Sequence, residues 1–189
     1  MNGGVVLEFL KMKEVKIGAP APDFELPALD GKTCRLSDYK GKIVVLDWWS
    51  AECPASKRYD PWFNEMIDRY GKHGVAFLMI DSNAIYDDDE IKRVAKERRV
   101  KFPILRDVGN RVADVYGALT TPHLFVVDRA GILAYEGAID DQTWNIHVPT
   151  KNYLTTVLDA LVAGKPAPIT ASTPFGCTIK RNWPREDEE

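Results

Sequence analysis

The chain has 189 residues, 45% hydrophobic and 28% charged, with 25 basic against 28 acidic side chains for a net charge of −3. That length holds one ordinary domain with tails rather than two domains, and the composition is that of a globular chain, not a disordered one. No long-range positive field exists to gather phosphate backbones or anionic lipid, so neither nucleic acid nor a membrane is an expected partner.

The longest apolar run, residues 43–46 resuming at Trp48 and Trp49, falls far short of the roughly 20 residues a bilayer span needs. Residues 5–10 are apolar but include Glu8 and lack a basic lead or a small-residue cleavage site, so no export signal is read and a cytoplasmic address is expected. Cys34, Cys53 and Cys177 are too few and too scattered for a disulfide framework. With His73, His123 and His147 they offer no paired spacing for zinc, so neither metal nor cofactor is expected.

Along the chain, Pro20, Pro22 and Pro27 impose an extended lead-in, and Asp30-Gly31 reads as a hairpin turn between strands at 24–29 and 33–36. Residues 43–49 form a nearly continuous apolar, β-branched run, as in a strand covered on both faces. Tyr59, Trp62, Phe63, Met66, Ile67 and Tyr70 recur at helical intervals until Gly71 and Gly74 close the segment. A strand at 75–80 follows. The acidic run 87–90 then opens a helix that ends near Arg98 and Arg99, in accord with the helix dipole. Strands at 102–105, 123–128 and 132–135 alternate with helices at 110–116 and 151–163, giving a layered α/β domain. The divisions expected are an N-terminal extension at 1–17, a domain at 18–164, and an extended tail at 165–189 with a solvated acidic end.

Cys53 follows the central strand directly and precedes Pro54, a residue suited to the first position of a helix. A thiol at a helix N-terminus meets uncapped amides and the positive end of the dipole, which favour the thiolate and hence reactivity. The alternative is a buried cysteine acting as a small hydrophobe.

Several segments together resemble the thioredoxin-like superfamily, specifically its peroxiredoxin-like (AhpC/TSA, redoxin) and thiol-reductase branches. Asp47 stands where thioredoxins carry a buried acid, residues 48–57 resemble their active-site run, and Pro61 takes the place of their helix-kinking proline. Thr121-Pro122 resembles their cis-proline, and residues 30–42 resemble the hairpin of the two branches. The resemblance implies a thioredoxin-like α/β fold with a central mixed sheet flanked by helices, an N-terminal hairpin and an extended C-terminal tail. It also implies an oxidoreductase with Cys53 as nucleophile, and Thr121, Pro122, Trp49, Ser50, Pro54 and Ser56 around the substrate. Its partners would be a protein or small-molecule disulfide, or a peroxide, together with an external thiol reductant.

Where a two-cysteine thioredoxin site has its second thiol, this chain has Ser56, which cannot form a disulfide. Residues 173–180 resemble the ending of a bacterial peroxiredoxin-like group, and they carry Cys177 after a flexible glycine. A Cys53–Cys177 redox pair is therefore expected; the alternative is a thiol that packs the tail onto the domain beside Phe175 and Ile179. Asp47, buried in a strand, is expected to have a raised pKa and to exchange protons with the reacting thiols, unless backbone amides or Lys42 or Lys57 pair with it. Cys34 reads as core filler, His123 as a shield for its strand, and Trp48, Trp49 and Trp62 as packing around the site; Glu52 and Lys57 are candidates to tune Cys53.

Peroxide reduction is the closest rival activity. Ser50 and Pro54 fit the register of a peroxidatic cysteine, but the proline expected earlier in that motif falls at Leu46, and no arginine can be placed against the thiolate. A non-catalytic binding module on the same fold is the third reading.

Overall fold

The computed structural model describes residues 15–143, 145 and 147–181. Its strands are β1 (Glu25–Pro27), β2 (Thr33–Arg35), β3 (Ile43–Trp48), β4 (Val75–Asp81), β5 (Ile104–Arg106), β6 (Thr120–Thr121), β7 (Leu124–Val127), β8 (Leu133–Gly137) and β9 (Cys177–Thr178). Its helices are α1 (Pro54–Tyr70), α2 (Asp88–Glu97), α3 (Arg111–Tyr116) and α4 (Tyr153–Val162). No helix among the described residues is long and apolar enough to cross a membrane.

Five strands form one sheet in the order β5-β4-β3-β7-β8, with β3 at its centre and every β3 residue buried. Helices α1 and α2 carry the chain back between β3, β4 and β5, which therefore run parallel; the tight turn at Asp128–Gly131 makes β8 antiparallel to β7. Strand β7 is antiparallel to β3, so the sheet is mixed.

Alternation along β3 divides the core in two. Ile43, Val45 and Trp49 join Phe63, Met66 and Tyr70 of α1 and Leu154, Val157 and Leu158 of α4 on one side of the sheet. Val44, Leu46 and Trp48 join Phe24 and Leu26 of the hairpin and Val112, Ala113 and Tyr116 of α3 on the other. Asp47 shares the parity of Val45 and Trp49, so its carboxyl is sent into the α1 side of the core.

The sequence places β5 two residues early. Phe102 is buried as core, while Pro103 supplies only a carbonyl, which accepts from the Met79 amide at 3.2 Å, and regular pairing begins at Ile104. Val15 and Ile179, outside the expected 18–164 domain, are both buried in the second core cluster. The tail is thus packed on the domain through Arg181; the acidic end at 186–189 lies outside the described residues.

Candidate active site

Strand β3 ends at Trp48, the chain turns through residues 49–52, and Cys53 stands at the N-cap of α1 in extended conformation, with Pro54 as the first helical residue. The thiol is only 1% exposed. Cys53 Sγ donates to the Thr121 carbonyl at 3.1 Å and lies 2.7 Å from Cys177 Sγ. All three cysteines are free. The Thr121–Pro122 peptide is cis. Cys177 reaches the site because β9 pairs antiparallel with β6, setting Cys177 opposite Thr121 and Thr178 opposite Thr120.

The two thiols have opposite tendencies. Burial pushes Cys53 up, but the Cys177 thiol, the Thr121 side chain and the backbone amides of Ser56 and Cys177 together outweigh it, leaving Cys53 below an ordinary thiol. Cys177 is pushed up to about 11 by burial and by the neighbouring Cys53 charge, with Glu52 adding to the rise. When the pair loses one proton, Cys53 carries the charge and Cys177 keeps the hydrogen.

Asp47 is 1% exposed, and neither carboxyl oxygen has a hydrogen-bond partner. Burial holds its pKa well above the carboxylate range; the His123 backbone offsets this only in part, and the charges of Asp60 and Cys53 add to it. Lys42 and Lys57, the alternative partners, are both exposed. Burial therefore favours the protonated carboxyl, a form able to release a proton.

Of the residues expected around a substrate, Thr121 and Pro122 meet Cys53 and the tail, and Pro54 is exposed. Trp49, Ser50 and Ser56 are buried, as Cys53 itself is, and their side-chain hydrogen bonds are to the loop and α1. A buried indole N–H needs an acceptor, and Trp49 Nε1 finds Asp60 Oδ1 at 2.8 Å. Ser56 lies on the buried stripe of α1, where its Oγ accepts the Ser50 amide at 3.2 Å, and Ser50 Oγ accepts the Glu52 amide at 3.3 Å. These three residues shape the loop that presents Cys53. His123 is buried, its Nδ1 accepting from the Leu119 amide at 3.2 Å; Cys34 is buried beside Tyr39; Trp62 is half-buried.

Sequence reading missed the ion pair under the loop. Arg98, just past α2, pairs with the buried Asp60 at 3.3 Å, donates to the Ala51 carbonyl, and lies 5.6 Å from the Trp49 ring centre. A signal existed: Ser56, Asp60, Phe63 and Tyr70 follow one helical stripe, and an acid on that stripe requires a buried partner.

The grips that hold the tail were also missed. Ser172 exchanges backbone hydrogen bonds with the β8 edge: its amide donates to Glu136, while the Glu136 amide donates to Thr170, both at 3.0 Å. Beyond Cys177, the Ile179 amide donates to Leu119 at 3.0 Å, the Lys180 amide to Asn83 Oδ1 at 2.7 Å, and Arg181 to Asp114 at 2.9 Å and the Ala118 carbonyl at 2.7 Å. A Cβ on Gly176 would come within 2.1 Å of the Thr121 carbonyl oxygen, so only glycine lets the tail approach this closely.

Residues 17–136 match the AhpC/TSA family model. The thiol-disulfide oxidoreductase ResA of Bacillus thuringiensis subsp. konkukian is 32% identical over 128 residues, covering 68% of this chain and 73% of the relative. Peroxiredoxin Q, chloroplastic, of Triticum aestivum is 33% identical over 130 residues, 65% of this chain and 58% of that protein. A crystal structure of an uncharacterized conserved protein from Geobacillus kaustophilus superposes with a TM-score of 0.82 at 32% identity, covering 90% of this chain and 94% of the other. Matched over its domain by the family model and over two thirds of its length by a relative of that identity, the chain belongs to the AhpC/TSA family, with a thioredoxin-like fold.

Proposed function

We propose that this thiol–disulfide oxidoreductase uses Cys53 as its nucleophile and Cys177 as its resolving thiol. The observation that carries the reading is the 2.7 Å separation of two sulfurs whose proton affinities are displaced in opposite directions. The Cys53 thiolate attacks one sulfur of a substrate disulfide; the S–S bond breaks, and the departing sulfur takes the electron pair and a proton, for which Asp47 is the buried source. Cys177 then gives its proton to the Asp47 carboxylate left by the first step and attacks Cys53 Sγ in the mixed disulfide. The bond from Cys53 to the substrate breaks, the second substrate sulfur leaves as a thiolate with the electron pair, and Cys53–Cys177 remains oxidised. An external thiol reductant returns the pair to the dithiol, a cycle suited to the reducing cytoplasm.

Peroxide reduction ranks second. Arg98 is committed to Asp60 and the Ala51 carbonyl, so it is not free to orient a peroxide on Cys53. Consumption of a protein disulfide and of hydrogen peroxide, compared between the native chain and Cys53→Ser, tests the reading. Cys53-dependent disulfide reduction that exceeds peroxide consumption supports it; disulfide reduction surviving in Cys53→Ser, or peroxide consumed preferentially, sinks it.

A further inference from the structure

The backbone edge of Thr120 and Thr121 is filled by this chain's own residues 177 and 178, and the surroundings fit the side chains that follow. Ile179, two residues past the cysteine, is 3% exposed among Val112, Ala118 and their neighbours in the core. Arg181, four past it, has 10% of its side chain exposed, against the Asp114 carboxylate and the Ala118 carbonyl. Backbone pairing gives affinity without discrimination, whereas a socket and a charge placed at fixed offsets from the reacting sulfur give selectivity.

We infer that residues 177–181 are an internal ligand, and that the partner exchanging with Cys53 is an extended polypeptide segment of the same chemistry: a cysteine, an apolar residue two positions on, and a cation four positions on. This rests on Cys53 being the nucleophile. The attacking and departing sulfurs of an exchange lie in line through the sulfur attacked, so the tail and the partner cannot both hold this edge while Cys177 resolves. The partner takes the edge to form the mixed disulfide, then yields it as the tail returns. Redocking of the tail thus displaces the product.

The test uses the full chain carrying Gly176→Val, whose side chain cannot fit against Thr121, and separately the full chain carrying Arg181→Glu, which loosens the tail without changing its backbone. Each is mixed with a Gly-Cys-Thr-Ile-Lys-Arg peptide joined through its thiol to thionitrobenzoate. Cys53 attacks the peptide sulfur, the S–S bond breaks, and the coloured thionitrobenzoate anion leaves with the electron pair; the same chains with Cys53→Ser give the background. The basic peptide should discharge about tenfold faster than one with glutamate replacing its arginine, and adding Asp114→Arg should reverse the order. Equal rates for the two peptides in both chains overturn the inference while leaving the nucleophile intact, provided the glutathione conjugate of thionitrobenzoate is discharged. If that conjugate is not discharged either, the nucleophile assignment fails, and the inference with it.

Discussion

Cys53 and Cys177 are 124 residues apart in the chain, yet their sulfurs lie 2.7 Å apart, some 0.7 Å beyond the roughly 2.05 Å of a disulfide bond. Pairing of β9 with β6, the bare Cα of Gly176, and burial of Ile179 together bring this about. The contact supplies what Ser56 cannot, a second thiol, and it places that thiol on the carbonyl edge beside the cis peptide rather than in the next turn of the helix.

Replacing Cys177 by alanine removes one of the hydrogen bonds that lower the Cys53 pKa. The pH midpoint of Cys53 alkylation should therefore move upward, because burial still raises it and one offsetting partner is gone. Single-turnover attack on a disulfide should persist, while steady-state turnover falls at least about tenfold as the mixed disulfide accumulates. Rapid-mixing kinetics and mass spectrometry of the trapped species check both expectations.

Asp47 imposes a cost on the native state at neutral pH. Its folded pKa lies above the unfolded one, so the native chain binds the extra proton, and stability declines as pH rises from about 4 towards neutrality. Asp47→Leu removes two unpartnered oxygens. Urea unfolding at pH 7 should show a gain of about 1–3 kcal/mol and a flatter pH dependence. If Asp47 passes protons to the exchanging sulfurs, the same variant should slow exchange by about 10²-fold.

Loss of Arg98 leaves the 2%-exposed Asp60, whose pKa burial already raises, without its ion-pair partner and with the Trp49 indole as its remaining side-chain hydrogen bond. Arg98→Ala should cost about 3 kcal/mol in urea unfolding, and adding Asp60→Asn should recover roughly half of it, since the larger part of the loss is an uncompensated buried charge. Because Arg98 also holds the Ala51 carbonyl, two residues before Cys53, single-turnover attack should slow as well.

Most of the framework was legible from local pattern. The unbroken apolar run of β3, the helical stripe of α1 and the Cys53-Pro54 junction are one-dimensional signals, and each marks an element whose environment is set by neighbours in sequence. The depressed Cys53 was expected from its helix terminus, yet the groups that lower it include Cys177 and Thr121, brought together only by the tertiary fold. The resemblance places Trp49, Ser50 and Ser56 around the substrate, but it does not give their partners: the indole on Asp60 and the two serines bonded through the loop are set by the packed core. Arg98 joins Asp60 across 38 residues, and the tail meets β8, Asn83 and Asp114 at separations no spacing rule covers. Such contacts are fixed by the packed domain rather than by any local propensity.

The most direct check is a peptide map, run without reductant, of the full chain after oxidation by a disulfide substrate and quenching with an alkylating reagent. A single cross-linked species joining the Cys53 peptide to the Cys177 peptide, with Cys34 alkylated, is the outcome required if one thiol attacks and the other resolves. Recovery of Cys53 and Cys177 both unlinked, or of Cys53 still held by the substrate while Cys177 is alkylated, would mean that their proximity is packing and not chemistry.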